Sequence, residues 1–302
     1  MSEKIMKYDL RPEFQKYRWI HLPTQRWILK TANALMPVIQ RGRKQDFHLQ
    51  SRRIKIGECS ADLIQPKVVR TNGLLIYYHG GAFLIKAAAY HKNLVQTYAL
   101  RADCAVLFVD YRLAPEYKFP IPVKDCFRAY SWALKNLSFD RVVIGGDSAG
   151  ADLAMSVMLL AKKKQMRMPD GQMLIYPGCA GDPTTESIHR YTDTPLWNSV
   201  LNRKALALYG NEKDDQHPLF RPIFADSFSG FPKAYIEAAE FDCLHDAGVQ
   251  IAERYRKDGV SVTRNDTKRT MHGYDIAEKS PYVRKQVDKR IRFLKGVFRD
   301  DI

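Results

Sequence analysis

One segment carries the residues best suited to covalent chemistry: residues 141–155, RVVIGGDSAGADLAM. An apolar, β-branched run leads into Gly146-Asp147-Ser148-Ala149-Gly150, and a helical pattern follows. The G-x-S-x-G spacing predicts a sharp strand-to-helix turn that exposes Ser148 at the end of a sheet. Flanking glycines suit a place where neighbouring chains crowd the serine. The helix that follows aims amide N–H groups and a positive dipole end at the same spot. Two other glycine motifs fail here. A dinucleotide fingerprint needs a glycine where Asp147 stands, and a P-loop needs Gly-Lys followed by Ser or Thr.

A serine hydroxyl needs a base to take its proton, and the base needs an acid to orient it. After a serine elbow of this kind the chain order is Ser, then Asp or Glu, then His. The histidines beyond Ser148 are His189, His217, His245 and His272. Only His272, in TMHGYD, falls in a short loop after the last predicted strand, so it is the expected base. For the acid, Asp242 lies just past the strand KAYIEAAEFD, at the sheet edge where catalytic groups gather. Glu240 and Asp246 are its rivals, one facing along the strand and the other starting the next helix. Cys243 has no second base and reads as a packing residue.

Acyl transfer from an ester passes through an oxyanion, and each N–H donor held ready for it is worth about 3 kcal/mol. One donor follows the nucleophile, here Ala149; the others come from the loop after the third strand. That place is taken by HGGA in LLIYYHGGAF, residues 74–83. Gly80 and Gly81 let the backbone approach a substrate, and the N–H groups of Gly81 and Ala82 are the expected donors. His79 reads as an anchor of this loop. No ligand spacing nearby supports a metal.

These groups need elements to hold them. RRIKIG and ADLIQPKVV read as a hairpin's two strands. GLLIYYH, CAVLFVDY, RVVIGGDS, GQMLIYP, KAYIEAAEFD and SVTRNDT then alternate with helical stretches, and 281–297 closes as a helix. This alternation predicts an α/β fold with a mostly parallel central sheet flanked by helices. Residues 9–41 read as two helices, the first capped by Asp9 and broken near Pro23. The second restarts after Thr24 and is kinked or ended by Pro37, before Gly42 and a basic stretch. Residues 178–231, rich in Gly, Pro, Asp and Thr, interrupt the rhythm and read as a lid or specificity insertion. The expected organisation is an N-terminal helical segment over 1–50 and a catalytic domain over 51–302 that contains this insertion.

The 302 residues carry a net charge of +15, concentrated at the two ends while 71–252 is neutral. Without a nucleic-acid motif, this excess reads as solvated helix faces rather than a nucleic-acid site. No run is long enough for stable membrane insertion, and the N-terminus lacks the apolar core of a signal peptide. Five cysteines without paired spacing read as reduced thiols, so a cytoplasmic location is expected.

In order along the chain, HGGAF, DYRLAPEYKFP, GDSAG, EFDCLHDAG and MHGY resemble the hormone-sensitive lipase family of α/β-hydrolase esterases. The match runs from about residue 73 to 280. The resemblance implies an α/β-hydrolase fold with a helical cap that includes the N-terminal helices. It implies a carboxylic ester hydrolase without cofactor, with Ser148, Asp242 and His272 as triad, and makes Arg112 and Glu116 structural. The chain departs from the family at Ala82, where a third glycine is usual, and at Cys243, where the usual sequence is Asp-Pro-Leu.

The expected substrate is a small ester with a short acyl chain, cleaved through an acyl-enzyme in a pocket between the N-terminal helices and the insertion. Phe83, Trp197 and Tyr274 are its expected walls. A non-catalytic small-ligand-binding member of the fold and an amide deacylase with the same triad are the alternatives. A homodimer stays open.

Overall fold

The computed structural model describes residues 7–39, 46–69 and 71–299. A hairpin of β1 (Leu49–Ile56) and β2 (Cys59–Pro66) turns at Gly57, whose φ of +61° suits a residue without Cβ. Six strands follow: β3 (Gly73–Tyr78), β4 (Ala105–Asp110), β5 (Arg141–Asp147), β6 (Gly171–Ile175), β7 (Lys233–Phe241) and β8 (Val262–Met271). They join one sheet in the order β1-β2-β4-β3-β5-β6-β7-β8. The pairs β1–β2 and β2–β4 are antiparallel, and every other pair is parallel.

The central strands are buried on both faces, which is why they read as unbroken apolar runs. In β3, Leu74, Ile76 and Tyr78 point into one core while Leu75 and Tyr77 enter the other. The first core is covered by α3 (Ile121–Asn136), α4 (Ala149–Lys163) and α7 (His245–Lys257). The second is covered by α2 (Ala89–Ala102) and α8 (Pro281–Phe298). The parallel strands end on the same edge, where β3, β5, β7 and β8 release the loops that carry the chemistry.

Two stretches of chain meet above that edge. One is the N-terminal segment with α1 (Arg26–Ile39); the other is the 178–231 insertion with α5 (Glu186–Arg190) and α6 (Ser199–Tyr209). They are stitched at Leu196, whose N–H donates to the Ile20 carbonyl (2.7 Å) and whose carbonyl accepts from Leu22 N–H (3.0 Å). The Tyr8 hydroxyl adds a bond to the Asp193 carboxylate. Asn33 ties α1 down to the body: its amide donates to the Leu84 carbonyl (2.7 Å) and its oxygen accepts from Lys86 N–H (2.9 Å).

One expectation for this segment fails. Asp9 caps no helix. Instead it pairs with Arg269, and only a 3-10 turn, Pro12–Tyr17, forms, held by the single buried side chain of Phe14. α1 ends at Ile39, two residues past Pro37, which thus falls in its last turn. Gly42 and the basic stretch lie outside the described residues.

Candidate active site

β5 ends at Asp147 and α4 begins at Ala149, so Ser148 alone makes the turn, with φ +52° and ψ −125°. Such a backbone is costly for a residue with a Cβ and holds the hydroxyl clear of the sheet. The two glycines of the motif are required by close approach. A Cβ on Gly150 would stand 2.0 Å from the Tyr78 carbonyl oxygen, and one on Gly146 would stand 2.4 Å from the same atom.

His272 follows β8 and Asp242 follows β7, and the parallel pairing of these strands brings the two together. Nε2 of His272 lies 2.8 Å from Ser148 Oγ, and Nδ1 lies 2.7 Å from Asp242 Oδ2. The other Asp242 oxygen accepts the Leu244 N–H at 2.9 Å, so the carboxylate is fixed without a proline after it. Asp242 is fully buried. The rivals are occupied elsewhere: Glu240 accepts the Arg269 N–H, and Asp246 accepts from Ser187 N–H and the His245 ring. Burial pushes the Cys243 thiol well above its ordinary pKa, leaving it an inert packing group.

The N–H groups of Gly81, Ala82 and Ala149 carry no hydrogen bond among the described residues; Gly81 and Ala82 border the cavity beside Ser148, and Ala149 opens the helix directly after it. Gly81 has φ +121°, and a Cβ there would stand 2.3 Å from the Ile85 carbonyl oxygen. Ala82 and Phe83 also lie in the left-handed region, at +55° and +65°. Gly80 is different. Its N–H donates to Asp147 Oδ1 at 3.1 Å, so it is not an oxyanion donor; its place is dictated by Asp147, whose Oδ2 a Cβ would meet at 2.2 Å.

Asp147 is a support that its place in the motif does not reveal. It accepts Tyr77 O–H (2.9 Å) and Gly80 N–H, and it meets His91 Nε2 at 3.0 Å. Nδ1 of His91 accepts the Ala88 N–H at 2.9 Å, so Nε2 carries the proton given to Asp147. Burial alone would raise the Asp147 pKa, but His91 and the Tyr77 hydroxyl outweigh it and hold it below the ordinary value. His79 anchors the same loop by stacking on Tyr111 at 4.5 Å, and the Tyr111 hydroxyl binds its carbonyl at 2.6 Å. Burial, then the neighbouring His91, lowers its own pKa to about 4, so it stays neutral. Arg112 forks onto Asp125 with two contacts of 2.8 Å and is remote from the triad's hydrogen bonds.

The cavity over Ser148 measures about 120 Å³ and is walled by Leu22, Tyr176, Leu196, Trp197 and Ile276. Of the expected walls only Trp197 is present. Phe83, on a left-handed backbone, turns away and stacks on Tyr209 of α6 at 3.8 Å. Tyr274 is buried in the second core, with its hydroxyl on Glu237. Tyr176, not singled out from sequence, sets its ring edge on His272 at 4.8 Å and donates its hydroxyl to Asp275 (2.8 Å). A larger cavity of about 730 Å³ lies in the insertion between α5, α6 and Arg221, and no triad residue lines it. Asp152 of α4 accepts N–H bonds from Gly178 (2.9 Å) and Ala180 (2.8 Å), fixing where the insertion leaves the sheet. Burial pushes its pKa up to about 6. Among the described residues, no group of three His, Cys, Asp or Glu is placed to hold a metal.

A family model described as the alpha/beta hydrolase fold matches residues 75–276. An arylesterase of Saccharolobus solfataricus is 32% identical over 245 residues, 78% of this chain and 79% of that protein. Hormone-sensitive lipase of Homo sapiens is 32% identical over 155 residues, 49% of this chain but 14% of that much longer protein. Among solved structures, a bacterial heroin esterase superposes with a TM-score of 0.87 at 25% identity, covering 96% of this chain and 98% of its own.

Proposed function

This chain belongs to the hormone-sensitive lipase family of α/β-hydrolase esterases and is a serine carboxylic ester hydrolase, and we propose that it acts through an acyl-enzyme on Ser148. His272 Nε2 takes the hydroxyl proton as Ser148 Oγ attacks the ester carbonyl. The carbonyl oxygen becomes an oxyanion that receives the N–H groups of Ala149, Gly81 and Ala82. The imidazolium, steadied by Asp242, returns the proton to the departing alcohol. Water, deprotonated by the same nitrogen, then cleaves the acyl-serine.

The observation that carries this reading is the unbroken chain from Ser148 Oγ through His272 to Asp242, with contacts of 2.8 and 2.7 Å. The preference is for short acyl chains. In its support, the cavity of about 120 Å³ is well below the roughly 300–1,000 Å³ of sites for drug-sized ligands. Rates on a series of nitrophenyl esters from acetyl to dodecanoyl test it: the maximum is expected at acetyl to hexanoyl, and a maximum at the longest chains would refute it. Five unpaired, buried cysteines support a reducing, cytoplasmic setting.

A further inference from the structure

Between Glu13 and Asp46 the sequence contains no acidic residue, while Lys16, Arg18, Arg26, Lys30, Arg41, Arg43 and Lys44 all fall within it. The described part of this stretch also exposes large apolar side chains. Trp19 is 76% exposed, Trp27 73%, Leu35 50% and Ile20 46%. Trp27, Lys30, Ala34 and Leu35 recur at helical spacing along the outward side of α1, opposite the buried Leu29. Among the described residues Lys16, Arg18, Arg26 and Lys30 have no acidic partner; Arg18 lies over the ring of Trp19, at 5.2 Å from its centre.

Two exposed tryptophans among unpaired cations are poor solvent-facing surface. They match an anionic lipid interface, where indole rings settle at headgroup level and lysine and arginine meet phosphate. No helix among the described residues is long and apolar enough to cross a membrane, so the contact is peripheral. The patch is continuous with the catalytic cavity. Ile20 and Leu22 bracket the bridge to Leu196, and both Leu22 and Leu196 are cavity walls.

We infer that the N-terminal segment, through Trp19, Ile20, Trp27 and Leu35 with Lys16, Arg18, Arg26 and Lys30, docks the protein on an anionic membrane surface. The mouth of the Ser148 cavity is then turned toward that surface. Docking changes where the enzyme works and not what its cavity holds, so short-acyl esters that partition into the interface are the ones brought to it.

Flotation with vesicles of phosphatidylcholine, alone or mixed equally with phosphatidylglycerol, tests the inference on the full chain. Binding is expected to the mixed vesicles only and to fall steeply toward about 0.5 M salt. Trp19→Ser with Trp27→Ser should weaken it about tenfold or more, and Arg18→Glu with Lys30→Glu should abolish it. These side chains are exposed, and circular dichroism confirms that each variant keeps its fold. Absence of binding to mixed vesicles at low salt would overturn the inference. So would binding that the tryptophan variant leaves intact while duplex DNA competes for it, since that would mark a bare charge patch. Conversion of a dimer to a monomer by the tryptophan variant, without vesicle binding, would make the patch a self-interface instead. Each of these failures leaves the esterase reading standing, because hydrolysis of a soluble ester is measured separately.

Discussion

Arg290 and Asp275 face each other in complete burial, guanidinium nitrogen to carboxylate oxygen at 2.9 Å, behind the loop that carries His272. The same guanidinium holds Glu237 of β7, and Asp275 receives the Tyr176 hydroxyl. Burial raises the pKa of both carboxylates. Arg290 outweighs it at Glu237, which ends below its ordinary value, but not at Asp275, which stays above. Arg290→Met leaves two buried carboxylates without a cation and should cost about 3–5 kcal/mol of stability in urea unfolding. A loss under about 1 kcal/mol would mean that the network is not a support.

For the triad, Asp242→Asn should lower kcat on nitrophenyl acetate by about 10³–10⁴ with KM little changed, and Ser148→Ala should abolish turnover. Glu240→Gln is the control. An equal loss there would move the acid to the wrong residue.

The two neighbours in the oxyanion loop should respond in opposite ways. Ala82→Gly keeps the N–H and removes a left-handed strain of about 1–2 kcal/mol, offset by about 0.5–1 kcal/mol of glycine entropy. Activity should stay within about threefold. Gly81→Ala drives a Cβ to 2.3 Å from the Ile85 carbonyl oxygen and should cost about 10² or more in kcat. Equal effects at both sites would show that the donors are not held by this backbone.

Asp152 gives the fold a pH dependence opposite to that of a salt-bridged carboxylate. Its folded pKa, about 6, lies above the unfolded value of about 3.9. Between those values the native state keeps a proton that the unfolded chain has lost, so this residue's contribution falls as pH rises. Below about pH 4 the penalty vanishes; above about pH 6 it is complete, on the order of 2–3 kcal/mol. In Asp152→Asn, the change in unfolding free energy between pH 4 and 7 should lose that component. An unchanged profile would place the titration elsewhere.

What the sequence discloses, and what it hides, follows from how local each feature is. Ser148 was legible because a strand, a glycine turn and a helix adjoin in sequence. Asp242 and His272 were legible because each closes a strand. The support of the site is not local: His91 reaches Asp147 across 56 positions, and nothing around residue 91 marks it. Arg290 sits in a helix so basic that its charge reads as solvated, yet it is fully buried. Phe83 misleads because an aromatic beside an oxyanion loop suggests a wall, whereas on its positive-φ backbone the ring stacks on Tyr209 of α6 instead. Asp9 misled because capping propensity is weak beside a tertiary ion pair.

The grip of Asn33 on Leu84 and Lys86 joins two parts that have different tasks. The residues it holds lie within four positions of Ala82, which with Gly81 forms the pair whose amides must stay aimed. Lifting α1 must either break both bonds or drag the loop with it. A single amide side chain therefore makes the seating of an outlying helix and the aim of the amides one mechanical unit.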